Sequence, residues 1–328
     1  MTDKTGLKLV DRDEQGVDRA FRADVLAGMR EGQKAIPARW LYDDAGSQLY
    51  EDITQIPEYY PARAETEILK TRGAEFAEAI GSGRAVVEFG SGSSVKTPAL
   101  LSAIDPAAYV PLDIAGDFLR AAAADLSAKF PGLPVFPVEA DFMRRVELPD
   151  EVADMPKLGF FPGGTIGNMV ARTATDLLRT MRETLGEGSM LLVGMDLIKD
   201  TAVLEAAYDD AGGVTAQFNL NLARRINREL GGTIPIDRLR HEARWNDAFA
   251  RVEMHLVATE DIVFEIAGEE FAMVEGETIH TENSHKFDRR SADKQLLAGE
   301  WTPIGRWLDS QQRFSVVLAE ASVPRSAP

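Results

Sequence analysis

The 328-residue sequence contains no cysteine. This absence excludes disulfide bonds, thiolate metal sites and a cysteine nucleophile, and it is typical of proteins from a reducing cytoplasm. Long apolar runs are also missing, since none approaches the roughly 20 residues that a membrane-spanning helix needs. The segment 1–12 is polar and of mixed charge, without the apolar stretch of a signal peptide. We therefore expect a cytoplasmic protein without a membrane anchor.

Basic residues are scarce relative to acidic ones. Thirty-six Lys and Arg stand against 53 Asp and Glu, which gives a net charge of −17. A field of that sign repels phosphate backbones, so we expect no nucleic-acid partner. The hydrophobic content of 45% is ample for a buried core, and the length suggests two domains or one domain with a large insertion. We expect this protein to be a monomer.

Histidine is the other scarce residue type, with four copies in the chain. None of them stands in a His-Glu-x-x-His pattern or another close ligand spacing, so we assign no metal. His255 lies in a strand pattern and is expected to be buried and neutral. A Gly-x-Ser-x-Gly block is also absent, which leaves a catalytic triad unsupported.

Strands and helices alternate in the middle of the chain. The predicted strands are 85–89, 109–114, 135–138, 158–161 and 190–195, and the predicted helices are 96–104, 117–130 and 171–185. Such alternation indicates βαβ units, a parallel sheet and ligands at the carboxyl ends of the strands. Segments 306–308 and 314–319 are expected to complete this sheet as an antiparallel pair.

The segments on either side of this region have a different pattern of predicted secondary structure. From 17 to 80 the pattern indicates helices broken at Pro37, Pro57 and Pro61, and one long helical stretch is expected from 202 to 230. Period-2 strands follow at 249–257, 261–266 and 270–274. The simplest architecture is a doubly wound α/β domain, 64–196 with 287–328. A second, α+β domain would combine 1–63 with the insertion 197–286.

A glycine loop follows the first predicted strand. Gly90 and Gly92 lie where backbone amides admit a ligand closely. A lone Gly-x-Gly is more often a structural turn, and a nicotinamide fingerprint would need a third glycine at Val95. Glu88 precedes the loop, where its carboxylate would hold the ammonium group of a methionine-type ligand. Lys96 is by default a solvated lysine, but it could reach that ligand's carboxylate.

The next strand ends supply the rest of a nucleoside site. Asp113 comes about 20 residues after the loop, the distance at which a carboxylate reaches ribose hydroxyls. Asp141 and Phe142 follow the third strand and offer an acceptor for an adenine amine beside an aromatic face. These elements, each at the carboxyl end of a strand, predict an S-adenosylmethionine site of the class I (Rossmann-like) methyltransferase type.

Several longer motifs carry a closer resemblance. They are Tyr42-Asp43-x-x-Gly46-Ser47, Pro57-Glu58-Tyr59-Tyr60-Pro61-x-Arg63-x-Glu65, Glu88-Phe89-Gly90-Ser91-Gly92, Phe161-Pro162-Gly163-x-Thr165-Ile166-Gly167-Asn168 and Thr281-Glu282-x-Ser284-x-Lys286-Phe287. The sequence resembles the histidine-specific Nα-methyltransferases, which make hercynine, the betaine precursor of ergothioneine. The resemblance extends from about residue 17 to 320.

The resemblance implies roles for particular residues. Those implied to contact S-adenosylmethionine are Gly90, Lys96, Asp113, Asp141 and Phe142. The amino and carboxylate groups of L-histidine would meet Tyr42, Asn168 and Tyr208, of which Tyr42 and Asn168 are the catalytic candidates. The imidazole would meet Glu282 and Ser284, with Tyr59 and Met254 lining the same pocket. The chain departs from the family at His285 and Gly164, neither of which is assigned a contact.

Each of these residues also has a structural interpretation. Asn168 could be the N-cap of the helix that begins near Ala171, although an Asn side chain can also donate to a carboxylate and accept from an amine. Glu282 taken alone would be a surface carboxylate. Paired tyrosines such as Tyr59 and Tyr60 are more often core packing than ligand contacts, but they lie in a loop between two prolines.

The expected reaction is threefold methylation of the α-nitrogen of histidine. Tryptophan or tyrosine is the alternative substrate within the same fold. Glu282 discriminates between them, because a carboxylate facing the carbon edge of an indole would be desolvated without a partner. A non-catalytic cofactor-binding scaffold is a further alternative. It would predict loss of the acceptor residues or the glycine loop, and the sequence retains both.

Overall fold

A computed structural model of the chain describes residues 16–92, 96–114 and 116–322, apart from the side chain of Asp117. The expectations for segment 1–12 and for Val95 lie outside these residues. By its internal contacts the chain divides into two compact units. The first unit is Met1–Tyr60 with Lys199–His285, and the second is Pro61–Ile198 with Lys286–Pro328. None of the described helices is long and apolar enough to cross a membrane.

The secondary structure elements are numbered along the chain. Within the described residues the α-helices are α1 (Arg19–Met29), α2 (Asp44–Gln55), α3 (Tyr60–Thr71), α4 (Gly73–Ile80), α5 (Thr97–Ile104), α6 (Gly116–Lys129), α7 (Ala171–Leu185), α8 (Thr201–Tyr208), α9 (Val214–Leu230) and α10 (Arg289–Ala298). The strands are β1 (Lys34–Ala35), β2 (Ala85–Phe89), β3 (Ala108–Asp113), β4 (Val138–Glu139), β5 (Lys157–Phe161), β6 (Met190–Asp196), β7 (Leu239–Asn246), β8 (Arg251–Ala258), β9 (Ile262–Ile266), β10 (Glu269–Met273), β11 (Thr278–His285), β12 (Trp301–Leu308) and β13 (Phe314–Ala321).

The second unit is built on a seven-stranded sheet in the order β12-β13-β6-β5-β2-β3-β4. Strands β2 to β6 are parallel, and β13 runs antiparallel to both β6 and β12. Every residue of β2 is buried, as expected for a parallel strand covered on both faces. The predicted α/β sheet and its antiparallel closing pair are therefore confirmed. Chain order reverses on either side of β2, which makes the carboxyl end of β2 the expected ligand position.

Two predictions for this unit need correction. The third strand, expected at 135–138, is reduced to β4, and Val135 makes only an isolated bridge to Tyr109. Pro134 and Pro137 explain the difference, because neither has an N–H to donate to a strand ladder. Pro61 does not separate helices but lies in the first turn of α3, where a missing N–H costs nothing.

The first unit contains a four-stranded sheet in the order β1-β11-β8-β7 and a two-stranded sheet of β9 and β10. The single helical stretch expected from 202 to 230 is wrong, since the chain leaves the helix after Tyr208 and starts α9 at Val214. The Asp210 carboxylate accepts hydrogen bonds from the backbone N–H of Val214 (3.0 Å) and Thr215 (2.7 Å). An acid that satisfies the first amides of a helix starts a new helix there.

Candidate active site

The glycine loop of the second unit leaves β2 with a positive φ of 73° at Gly90. A Cβ at this position would lie 3.3 Å from the Phe142 ring. Only glycine combines this backbone conformation with such a close approach. Gly92 donates its N–H to the Asp113 carboxylate at 2.9 Å. The structure thus brings together four residues that the sequence assigned to the cofactor.

Glu88, which the sequence assigned to the cofactor, is buried below the glycine loop. It is 2% exposed, and one carboxylate oxygen accepts hydrogen bonds from the hydroxyls of Thr97 (2.7 Å) and Tyr109 (2.5 Å). Burial raises the pKa of Glu88 to about 7, although both hydroxyls act against this shift. One carboxylate oxygen is thus engaged inside the protein, and the contact with a ligand ammonium group stays a prediction.

Lys96 is not simply a solvated lysine. Its Nζ lies 2.5 Å from Oε2 of Glu65, whose side chain is fully buried. The same carboxylate accepts the backbone N–H of Gly163. Glu65 is a functional candidate that the sequence interpretation missed, although it stands within one of the quoted motifs. A buried acid needs a partner, but nothing in the sequence indicates which one.

Asn168 ends a short 3₁₀ helix, Thr165–Asn168. The N-cap position of α7 is Val170, whose side chain makes no capping hydrogen bond. Asn168 therefore does not occupy the N-cap position of α7, and its role toward substrate stays a prediction. Asp141 accepts the backbone N–H of Met143 at 3.0 Å, which leaves its role toward adenine as a prediction.

In the first unit, a β-bulge sets the face on which Glu282 lies. His280 pairs with His255 across β8 and β11, but Glu282 pairs with Met254, so the register shifts by one residue at Thr281. Side chains alternate along a strand, and a one-residue shift moves all later ones to the opposite face. Glu282 therefore shares a face with Met254 and not with the two histidines.

Glu282 is 9% exposed, so the interpretation as a surface carboxylate is wrong. The Tyr42 hydroxyl donates to its Oε1 over a long 3.3 Å. Tyr42 as a whole is 38% exposed, yet its pKa is well above the usual value. Burial of the hydroxyl is the main cause, and the negative charge of Glu282 is the next. The phenol is thus neutral and acts as a hydrogen-bond donor.

The other predicted substrate residues of this unit also meet. The hydroxyls of Tyr208 and Ser284 are 2.7 Å apart, and the ring of Tyr59 packs edge-on against Tyr208 at 5.9 Å. Burial lowers the pKa of His241, and its Nε2 lies 2.7 Å from the Tyr208 carbonyl. A neutral imidazole that donates from Nε2 fits this contact. His241 therefore helps to hold the end of α8, which carries Tyr208.

Two further aromatic residues, Tyr50 and Phe218, pack against these tyrosines, and the sequence did not predict either of them as part of the site. Tyr50 packs against Tyr42 at 5.7 Å and against Tyr59 at 6.4 Å, and Phe218 packs against Tyr42 at 5.4 Å. In the sequence Tyr50 is one of the apolar residues at helical spacing in a predicted helix. Such residues usually pack in the core, so the sequence did not mark Tyr50 as a site residue. These aromatic residues provide ring edges and phenol hydroxyls near the buried Glu282 carboxylate.

Among the described residues, Glu253, His255 and His280 form the one group with metal-ligand chemistry, with ligand atoms within 4.8 Å. Burial is the main reason that the pKa of His255 falls to about 4, as expected for a buried neutral histidine. The two imidazoles stack at 4.8 Å. Glu253 is already paired with Arg251, whose charge opposes a dication, so we assign no metal to this group.

Taken together, the sheet order, the glycine loop after β2 and the acid at the end of β3 are those of the class I methyltransferase fold. Comparison with known proteins agrees. The model of the family described as histidine-specific methyltransferase, SAM-dependent, matches residues 21–321. The chain therefore belongs to this family of enzymes, and the scaffold alternative falls away.

Individual relatives support the same assignment. Histidine N-alpha-methyltransferase of Mycolicibacterium smegmatis is 38% identical over 310 residues, which cover 92% of this chain and 94% of that protein. The protein of the same name from Mycobacterium tuberculosis is 37% identical over the same shares. Ergothioneine biosynthesis protein 1 of Neurospora crassa is 29% identical, and the match covers 91% of this chain and 36% of that longer protein.

Proposed function

We propose that this enzyme transfers three methyl groups from S-adenosylmethionine to the α-nitrogen of L-histidine and so forms hercynine, the first step of ergothioneine biosynthesis. The observation that carries the substrate assignment is the buried carboxylate of Glu282 on the face shared with Met254. The Tyr42 hydroxyl already donates to this carboxylate, and its negative charge favours a ligand that brings a cationic donor. A protonated imidazole supplies one and forms a charge-assisted hydrogen bond.

The proposed cofactor contacts lie in the second unit. Gly90 and Gly92 would admit the cofactor to the loop, and Lys96 would pair with its carboxylate. Asp113 would bind the ribose, and Asp141 with Phe142 would receive the adenine. The Asp113 carboxylate already orients the loop through Gly92. A ribose would therefore bind to a group whose position is set before binding.

The proposed substrate contacts divide by chemical group. Glu282 and Ser284 would bind the two imidazole nitrogens, with Tyr59 and Met254 lining the ring. Tyr42, Asn168 and Tyr208 would orient the amino and carboxylate groups. Since the Tyr208 hydroxyl is hydrogen-bonded to Ser284, the group that orients the amino-acid end and the group that binds the ring support each other.

The proposed chemistry is direct in-line displacement at the sulfonium methyl group by a neutral amine. The S–CH₃ bond breaks as the N–CH₃ bond forms, and S-adenosylhomocysteine leaves. The enzyme supplies alignment rather than a covalent intermediate. The sulfonium charge favours the neutral amine, since a like charge nearby disfavours ammonium. Because the pKa of Tyr42 is raised chiefly by burial, we propose that Tyr42 orients the amine and that water takes its proton.

The alternative substrate within this fold is another aromatic amino acid, tryptophan or tyrosine. An indole or a phenol offers only a neutral N–H or O–H donor, whereas a protonated imidazole brings a positive charge to the buried Glu282 carboxylate and forms a charge-assisted hydrogen bond. We therefore rank histidine first. Cytoplasmic location, a monomeric state and the absence of a nucleic-acid partner stay predictions.

The deciding experiment is a mass-spectrometric assay of the purified protein with S-adenosylmethionine and each of the 20 amino acids. Histidine should gain three methyl groups, and fragment spectra should place all of them on the α-nitrogen. Methylation of the ring would show that the substrate lies in the opposite orientation. Preferential turnover of tryptophan or tyrosine would replace the substrate assignment.

A further inference from the structure

Glu65 in α3 is a fully buried carboxylate with two kinds of partner. Its Oε2 lies 2.5 Å from Lys96 Nζ. The backbone N–H of Gly163 donates to both carboxylate oxygens, at 2.8 Å to Oε2 and 3.0 Å to Oε1. All three contacts lie inside the second unit. Glu65 thereby connects Lys96, which directly precedes α5, to the turn that follows β5.

The surrounding structure makes room for this carboxylate. Gly194 in β6 faces Glu65, and a Cβ at this glycine would lie 2.2 Å from Oε1 of Glu65 and 3.0 Å from the Phe314 ring. No side chain larger than hydrogen fits without displacing the acid. The position of Glu65 is thus specified by the central sheet and not by the ion pair alone.

The hydrogen bond from Gly163 connects Glu65 to the segment that ends at Asn168. The backbone at Gly163 and Gly164 has positive φ values of 84° and 68°. The following turn is closed by a 2.8 Å hydrogen bond from Gly167 N–H to the Gly164 carbonyl, and the 3₁₀ helix then ends at Asn168. Anchoring the Gly163 N–H therefore sets the start of the segment that presents Asn168.

We propose that Glu65 is a positioning residue for methyl transfer, which places Lys96 for the cofactor carboxylate and the Gly163 turn for Asn168. We assign it no contact with either reactant, because its side chain is fully buried. The proposal rests on the proposed function, because that function supplies the roles of Lys96 and Asn168. A purely structural role is the alternative, but a buried ion pair is weak evidence for a stability role.

The isosteric variant Glu65→Gln tests this role. Glutamine keeps the volume, but one acceptor oxygen becomes an NH₂ donor. That donor must face either Lys96 or the Gly163 N–H, both of which are donors themselves. Loss of one charged hydrogen bond corresponds to about tenfold or more in an equilibrium constant. Glu67→Gln is the matched control, since the Glu67 carboxylate on the same helix accepts the backbone N–H of Ser310 in an exposed contact.

The experiment is a double-mutant cycle of Glu65→Gln and Lys96→Met. Calorimetry measures the dissociation constant of S-adenosylmethionine without histidine, and steady-state assays measure kcat. We expect Glu65→Gln alone to weaken cofactor binding about tenfold or more and to lower kcat. In the Lys96→Met background, Glu65→Gln should change cofactor binding by no more than about twofold. It should still lower kcat in that background, because the contact with Gly163 is changed as well.

Cofactor binding and kcat within twofold of wild type in Glu65→Gln would overturn the proposal, as would an equal effect on binding in both backgrounds. If Glu65→Gln alone does not fold, the double variant is compared with Lys96→Met. A folded double variant with the cofactor affinity of Lys96→Met supports positioning, whereas an unfolded one shows a structural role. Because binding is measured without histidine, a failure of the substrate assignment leaves this comparison intact.

Discussion

Replacement of Glu282 by glutamine removes the negative charge from the proposed imidazole site while keeping its volume. Glu282 is 9% exposed, so the charge that the imidazole meets is largely desolvated. A hydrogen bond to a charged group in such a site contributes about 1.5–3 kcal/mol. Glutamine keeps a neutral hydrogen bond worth about 0.5–1.5 kcal/mol. The net loss is therefore about 1–1.5 kcal/mol, or roughly 5- to 13-fold in affinity at about 1.36 kcal/mol per factor of ten. We expect KM for histidine to rise within that range.

The accompanying variant Glu282→Ala addresses specificity. It removes the buried carboxylate that disfavours an apolar ring, so turnover of phenylalanine or tryptophan should rise relative to histidine. Met254, the cross-strand neighbour of Glu282, still limits the size of the ring. The direction of this change is therefore better determined than its size. Affinity for S-adenosylmethionine should stay at the wild-type value, because the cofactor residues lie elsewhere in the chain.

The assay measures KM and kcat for histidine at saturating cofactor by mass spectrometry, together with a competition between histidine and tryptophan. Glu270→Gln is the matched control, since Glu270 is an exposed acid of the same unit. An unchanged ratio of histidine to tryptophan turnover in Glu282→Ala would refute the assignment of Glu282 to the imidazole. A tenfold change in cofactor affinity would also count against it.

Three further changes test other parts of the site. Gly90→Ala should abolish tight cofactor binding in calorimetry, whereas Gly81→Ala, at a similar φ of 75° but with no atom within 4 Å of the new Cβ, should only lower stability. Because burial raises the Glu88 pKa from 4.5 to about 7, the native state binds this proton more tightly, and stability falls as pH rises through that window, by about 3 kcal/mol. The free energy of unfolding of Glu88→Gln, measured in urea, should therefore be larger relative to wild type at pH 8 than at pH 5. An equal difference between the two proteins at both pH values would contradict this. Tyr208→Phe loses the 2.7 Å contact with Ser284 and should raise KM for histidine about 2- to 13-fold, while a wild-type KM would remove Tyr208 from the site.

Much of the second unit follows from local sequence. The alternation of apolar strands and helices predicts the parallel sheet, because a strand buried on both faces is an uninterrupted apolar run such as Ala85–Phe89. The glycine loop and the acid of Asp113 could be placed because strand carboxyl ends are the ligand edge of such a sheet. Family-specific motifs then supplied the substrate hypothesis, which composition and periodicity do not contain.

Tertiary structure alone decided which side chains meet. Glu282 reaches the face of Met254 only because a bulge at Thr281 shifts the register, and a one-residue irregularity leaves no mark in an alternating pattern. Glu65 is separated by 31 residues from Lys96 and by 98 from Gly163, and the partner of a buried acid at such distances is chosen by the packing of the sheet. Local sequence determines elements and their ligand edge, whereas contacts across the sheet depend on register and on the space left by residues such as Gly194.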